Sequence, residues 1–316
     1  MKTVRDIGEN RLIERLTRYL PGRSDVVAGV GDDCAVVRTG RGDPFDLLLT
    51  SDPVIEGVHF LPDAAPERVG HKAVGRVLSD IAAMGGEPLW ALVDLVVPAN
   101  TPVQWIEDVY RGAGRLARRH GLAIVGGDTS AGPTRELHVF AVGRVPKGAA
   151  ILRSGARPGD AIYVTGRLGG SDAGRHLTFE PRLAEGQWLR AGRWATAMMD
   201  LSDGLATDLP RMLKASGAGA TLDAARIPVS AAAKRQAAAA RTALQRALTD
   251  GEDFELLFTV REAGTAAFEK AWAQRFRLPC ARIGIVTKTQ GAIELMLQDG
   301  HRKNMRGRGF EHFLKG

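Results

Sequence analysis

The chain has 316 residues, 44% hydrophobic and 25% charged, which suits a soluble globular protein of about two domains and excludes a fully disordered one. Its 38 glycines make up about 12% of the residues against a usual ~7%, without the period of collagen, so the excess belongs to loops. Lys and Arg exceed Asp and Glu by 43 − 36 = 7, a basic balance that favours anionic partners without choosing among phosphorylated metabolites, nucleic acid and membrane surfaces.

Apolar periodicity predicts the elements in chain order. A helix is expected over 7–19, a strand over 45–50, a helix over 67–84, a strand over 89–97, a helix over 102–120, and strands over 122–125 and 137–145. Residues 145–160 carry Gly and Pro without a period, so a boundary is placed near 148–152, giving domains 1–149 and 150–316. Beyond it, strands are expected over 161–164, 197–201, 256–260 and 282–286, and helices over 205–215, 230–248 and 262–275. Pro210 predicts a kink or restart near Asp208. The alanine-rich stretch 231–240 reads as surface helix. Strands alternating with helices indicate an α/β or α+β fold. Two cysteines, Cys34 and Cys280, form neither a disulfide framework nor a CxxC pattern, which points to a reducing cytoplasm. Neither a spanning helix nor a signal peptide is expected from the apolar runs.

The acids gather beside glycines and strand ends: Gly31-Asp32-Asp33, Thr50-Ser51-Asp52, Ser79-Asp80, Gly126-Gly127-Asp128, Asp200-Leu201-Ser202-Asp203-Gly204 and Gly251-Glu252-Asp253. Singly, each reads first as a turn or a helix cap, because Asp–Gly is a common turn pair. Six of them in a basic protein suggest a hard cation held by short carboxylates. Advancing about 100° per residue along 67–84 puts Asp80 inside the apolar stripe of Val69, Ala73, Val77, Ile81 and Met84. A carboxylate there needs a metal, a cap role or an ion pair. Asp200 and Asp203 sit at a strand–turn–helix corner, where Ser202 or Asp203 can cap the helix and acids and free amides can hold Mg²⁺ and a phosphate chain together. Arg153, in a Gly-rich loop, can grip a phosphate or stand on the surface, and His59 lies close to the Asp52 cluster. There is no P-loop, protein-kinase, GxSxG or HExxH motif.

Seven segments, GVGDDCAVV (29–37), TSDPVIEGVHF (50–60), LSDIAAMGGEP (78–88), GGDTSAGP (126–133), RSGARPGDAIYVTG (153–166), MDLSDGLATDL (199–209) and DGEDFELLFTV (250–260), resemble the thiamine-monophosphate kinase family, in the superfamily of aminoimidazole-ribonucleotide synthetase-like ATP-using enzymes. The resemblance spans nearly the whole chain. It implies two α/β domains, the N-terminal one sharing a barrel-like sheet with its copy in a homodimer. It also implies ATP-dependent phosphorylation of thiamine monophosphate to thiamine diphosphate with several Mg²⁺ ions. By motif match it assigns Asp33, Thr50, Ser51, Asp52, Asp80, Asp128, Asp200 and Asp203 to the Mg²⁺ and phosphate shell. Gly127, Asp128, Arg153 and Ser202 become ATP contacts, and His59, Glu252 and Phe310 substrate contacts. Direct in-line transfer is expected, without a side-chain nucleophile and without a strong base, because the acceptor phosphate is already ionised at neutral pH.

The chain departs from the family pattern at three places. Ala131 stands where the family usually has Arg, Asp250 enters the usual SGGED motif, and the segment 165–199 is short, its Pro-x-Pro-Arg reduced to Glu180-Pro181-Arg182. The first two remove positive potential near the expected phosphates. The alternatives are another ATP-using enzyme of the superfamily, or a weakly active paralogue whose basic tail, Arg302 to Arg308, contacts nucleic acid. A selenophosphate synthetase should carry a reactive Cys or selenocysteine in a Gly-rich N-terminal loop, and a hydrogenase-maturation relative should end in Cys; neither feature is in the sequence.

Overall fold

The structure, a computed structural model, describes residues 3–297 and 299–305. Two mixed sheets follow one another along the chain. The first contains β1 (Val26–Ala28), β2 (Ala35–Val37), β3 (Phe45–Ile55), β4 (Glu87–Val97), β5 (Ala123–Gly126), β6 (Thr129–Ala131) and β7 (Glu136–Pro146), in the order β1-β2-β3-β7-β4-β5 with β6 also on β4. The second contains β8 (Ala161–Thr165), β9 (Ala195–Asp200), β10 (Gly219–Asp223), β11 (Leu256–Val260), β12 (Cys280–Thr287), β13 (Ile293–Met296) and β14 (Arg302–Asn304), in the order β14-β13-β10-β12-β8-β11-β9. The helices are α1 (Val4–Leu16), α2 (Pro66–Ala83), α3 (Val103–Arg119), α4 (Leu183–Ala191), α5 (Leu205–Ser216), α6 (Ala231–Arg235), α7 (Ala243–Thr249) and α8 (Thr265–Arg275). The fold is the expected mixed α/β class.

Helix α2 lies on the first sheet through the predicted stripe: Val69, Ala73, Val77, Ile81 and Met84 are fully buried. Helix α3 packs on α2 at a glycine-to-backbone approach. A Cβ on Gly70 would stand 1.9 Å from the Val109 carbonyl oxygen, and one on Gly112 would stand 1.9 Å from that of Glu67. The other face of this sheet carries Trp90, Leu92 and Phe140, which are 50%, 41% and 37% exposed. The second sheet is covered on both faces. Ile162 and Val164 of β8 enter one core, with α5 and α7, while Ala161 and Tyr163 enter another, with α4 and α8. That explains why β8 is a continuous apolar run with no polar alternation.

Strand β3 runs on past Thr50 to Ile55, so the Thr50-Ser51-Asp52 cluster sits inside the strand rather than beyond its end. Pro53 is tolerated because β2 pairs β3 only at Leu47–Leu49, leaving that edge unpaired at Pro53. Residues 230–248 form two short helices instead of the single one expected. Thr242 starts α7 with a capping box to Gln245, Ser230 caps α6, and the two helices close over the loop at Gly169 and Gly170. A straight helix could not make that turn. Helix α5 runs through Pro210 without a restart. Its N-cap is Gly204, with no side-chain cap bond, so neither Ser202 nor Asp203 caps it. Instead the Asp203 N–H donates to Asp208 Oδ2 at 2.9 Å.

Candidate functional site

The last turn of α2 meets the carboxyl end of β9, bringing together acids from three distant segments. Asp33 comes from the loop before β2, Asp80 from α2 and Asp200 from the end of β9; their carboxylate oxygens lie within 4.8 Å of one another. Thr50 Oγ1 donates to Asp80 Oδ2 at 2.5 Å, and Ser79 Oγ donates to Asp200 Oδ2 at 2.6 Å. Burial, then the carboxylates of Asp52, Asp200 and Asp33, hold the Asp80 carboxyl well above its usual range. Burial, then Asp33, pushes Asp200 up to about 7. Asp33 is held by Arg153, whose Nη2 donates to it at 2.6 Å. Three hard oxygen donors that repel one another fit a small divalent cation.

Beside this cluster runs a ladder of charges. Arg76 Nη2 donates to Asp52 Oδ1 at 2.8 Å, and its Nη1 lies 3.6 Å from Glu252 Oε1. Lys72 Nζ lies 2.5 Å from the same Glu252 oxygen and donates to the His59 carbonyl at 2.5 Å. Burial pulls the Lys72 ammonium below the usual lysine range, and Glu252 opposes that pull. His59 is buried, and its Nδ1 accepts from the Ile55 N–H at 3.1 Å. Thus Thr50, Asp52, His59 and Glu252 join the neighbourhood of Asp33, Asp80, Asp200 and Arg153.

Other expected residues stand apart or carry different bonds. Ser51 points to the opposite face of the sheet from Thr50 and is exposed. Asp128 is exposed, and its N–H donates to Asp94 Oδ1 on that outer face. Gly127 has φ +150°, and a Cβ there would stand 1.9 Å from the Val93 carbonyl oxygen, so no side chain fits. Asp203 pairs with Arg211 at 2.5 Å, and the Ser202 carbonyl accepts from the Glu252 N–H at 2.6 Å. Phe310 lies outside the described residues.

The sequence reading missed Lys72 and Arg76. The signal was present: Lys72, Arg76 and Asp80 are spaced i, i+4, i+8, about 40° apart on the helix, so the two cations lie at the edge of the apolar stripe in line with the Asp80 inside it. Two departures also resolve. Asp250 is neutralised by Arg241 at 2.5 Å and Arg246 at 3.3 Å, and it accepts from the Gly170 N–H at 2.8 Å. Its charge is therefore spent inside the loop. Arg182, left from the reduced motif, donates twice to the buried Glu255, at 2.8 and 2.7 Å.

Residues 31–145 match the AIR synthase related protein, N-terminal domain, and residues 157–295 match the AIR synthase related protein, C-terminal domain. The thiamine-monophosphate kinase of Escherichia coli K12 is 37% identical over 331 aligned positions, covering 97% of this chain and 98% of that one. That of Rhodopirellula baltica is 39% identical, covering 87% of each chain. The structure of AaThiL complexed with AMPPCP and TMP superposes with a TM-score of 0.84 at 30% identity, over 99% of both chains, and that of the Aquifex aeolicus thiamine-monophosphate kinase with a TM-score of 0.72 at 30% identity, over 92% of this chain and 97% of that one. With both domain families matched in order and relatives of this identity along its whole length, the chain belongs to the thiamine-monophosphate kinase family of AIR synthase related proteins.

Proposed function

We propose that this protein phosphorylates thiamine monophosphate to thiamine diphosphate with ATP, by direct in-line transfer and with Mg²⁺. The observation that carries the reading is the convergence of Asp33, Asp80 and Asp200 beside the Lys72–Glu252–Arg76–Asp52 ladder. An anion-poor cleft would not need five carboxylates so close; a cleft joining two phosphates through cations does. The relatives' names, and the AMPPCP and TMP held by AaThiL, support the same pair of substrates.

Asp33, Thr50, Asp52, Asp80 and Asp200 hold Mg²⁺, which when bound supplies charge neutralisation for the phosphate oxygens. Arg153 and Ser202 meet the ATP side, and Asp203 extends the metal shell towards it. His59 and Glu252 face the acceptor, with Phe310 as a third contact. Glu252 suits a cationic thiazolium or an aminopyrimidine, both of which favour a carboxylate partner. No side chain acts as a nucleophile, because the acceptor phosphate attacks as it stands. Ser51 and Asp128 are exposed on the outer side of the first sheet, away from the Asp33, Asp80 and Asp200 cluster, and together with Gly127 stay outside the proposed shell.

The same outer face, with Trp90, Leu92, Val125 and Phe140 exposed, is proposed to join a second copy in a homodimer. The domain limits are proposed at 1–149 and 150–316. No described helix is long and apolar enough to cross a membrane, and a cytoplasmic location is proposed with the biosynthetic role. The deciding assay offers ATP and Mg²⁺ with thiamine monophosphate, thiamine and aminoimidazole ribonucleotide precursors in turn. Thiamine diphosphate should form from the monophosphate alone. Turnover of another acceptor in its place would overturn the reading.

A further inference from the structure

Lys72 has no exposed surface. A buried ammonium is costly unless it is paired and hydrogen-bonded, so its partners identify what it is retained for. They come from the two halves of the chain. Nζ lies 2.5 Å from Glu252 Oε1, on the loop before β11, and donates to the His59 carbonyl at 2.5 Å, in the turn after β3. One cation thus fixes the separation of two residues contributed by different sheets.

The Glu252 loop is itself held in a disfavoured backbone. Glu252 has φ +61° and Phe254 has φ +49°, a region that side-chain-bearing residues rarely occupy. Two main-chain bonds and one side-chain bond maintain it. The Glu252 N–H donates to the Ser202 carbonyl at 2.6 Å, the Phe254 N–H donates to the Leu201 carbonyl at 2.8 Å, and the buried Asp253 carboxylate accepts from the Gly169 N–H at 2.9 Å. Those bonds place the backbone but leave the Glu252 carboxylate to be aimed by side chains. Lys72 is the nearest cation, with Arg76 second at 3.6 Å. Strain of this kind persists where the surroundings over-determine it, as at ligand sites.

We infer that Lys72 is a positioning residue for the phosphate acceptor: its ammonium clamps Glu252 and the His59 turn at the spacing the acceptor needs, without touching the acceptor itself. The inference rests on the reading of His59 and Glu252 as acceptor contacts. It predicts a selective effect. ATP is bound on the Asp33, Arg153 and Ser202 side, which Lys72 does not touch, so only the acceptor's Michaelis constant should respond.

The test is a kinetic double-mutant cycle of wild type, Lys72→Met, Glu252→Gln and the double variant, with melting temperature and circular dichroism as fold controls. Lys72→Met should raise KM for thiamine monophosphate about tenfold or more and leave KM for ATP within about twofold. In the Glu252→Gln background the same substitution should add less than about twofold, because the group it aims is already lost. Equal rises in both Michaelis constants, or a full-size effect in the Glu252→Gln background, would overturn the role and leave Lys72 as a packing residue. If Lys72→Met does not fold, Lys72→Gln, which keeps N–H donors for the His59 carbonyl, carries the same comparison. Wild-type turnover is measured first. Its absence with thiamine monophosphate would refute the proposed function and this role with it, whereas turnover with uncoupled variants would refute the role alone.

Discussion

Asp80→Asn should make the metal-free protein more stable and the enzyme inactive. Asp80 sits among carboxylate oxygens within 4.8 Å, where two unit charges at an effective dielectric constant of about 20 repel by about 3 kcal/mol. Asp52, the strongest charge acting on Asp80, is paired with Arg76, and Asp33 with Arg153, so the uncompensated pair is Asp80 with Asp200. Asn keeps the shape and can still accept from the Thr50 hydroxyl through its Oδ1, so the substitution removes charge and little else. In chelator at pH 8 the gain of about 3 kcal/mol corresponds to a rise of roughly 5 °C in melting temperature for a chain of this size. The pH dependence has a definite sign. Asp200 is raised from 3.8 to about 7 in the folded state, and Asp80 is raised as well. Such groups contribute stability below their ordinary value, and it is lost as pH rises to about 7. Near pH 4 both carboxyls are protonated in wild type, so the advantage of Asn should vanish there. Mg²⁺ reverses the order at pH 8, because it binds the folded wild type and supplies the missing counter-charge. The assay is scanning calorimetry of both proteins at pH 4 and pH 8, with chelator and with Mg²⁺, beside a turnover measurement. If Asp80→Asn melts below wild type in chelator at pH 8, or if Mg²⁺ raises both proteins equally, the three carboxylates are not a mutually repelling metal shell.

Three further outcomes follow from geometry. Asp250→Gly, which restores the family's residue, should leave the Michaelis constants within about twofold because Arg241 and Arg246 already balance that charge; it should lower the melting temperature by a few degrees through the lost bond to the Gly170 N–H, and a large fall in KM would show that the charge does reach the phosphates. Gly112→Ala should destabilise the protein by about 1–3 kcal/mol in denaturant titration, since its Cβ would stand 1.9 Å from the Glu67 carbonyl oxygen; an unchanged midpoint would mean that α2 and α3 separate freely. Phe140→Glu, on the exposed face of the first sheet, should convert a dimer to a monomer in sedimentation at micromolar concentration, and a wild-type monomer would refute the pairing outright.

The sequence alone determined the elements and the chemistry they carry. The five apolar positions of α2, the buried run of β8 and the acids of the seven motif segments were all legible, because periodicity and residue type are local properties. Local signals failed where a distant partner decided the outcome. A capping box at Thr242 and a turn over Gly169 and Gly170 broke an alanine-rich stretch that favours helix throughout. Thr50 and Ser51, adjacent in the motif, were sent to opposite faces by the two-residue period of a strand whose length only its pairing with β7 sets. Lys72 and Arg76 look like ordinary helix charges until Glu252, far along the chain, is laid against them. Which carboxylates share a site, and which are spent elsewhere like Asp250 on Arg241, Arg246 and the Gly170 N–H, depends on distances that no spacing along the chain encodes. Coulomb energy and desolvation act through space, so the site's charge balance was settled only when α2 was brought against the end of β9.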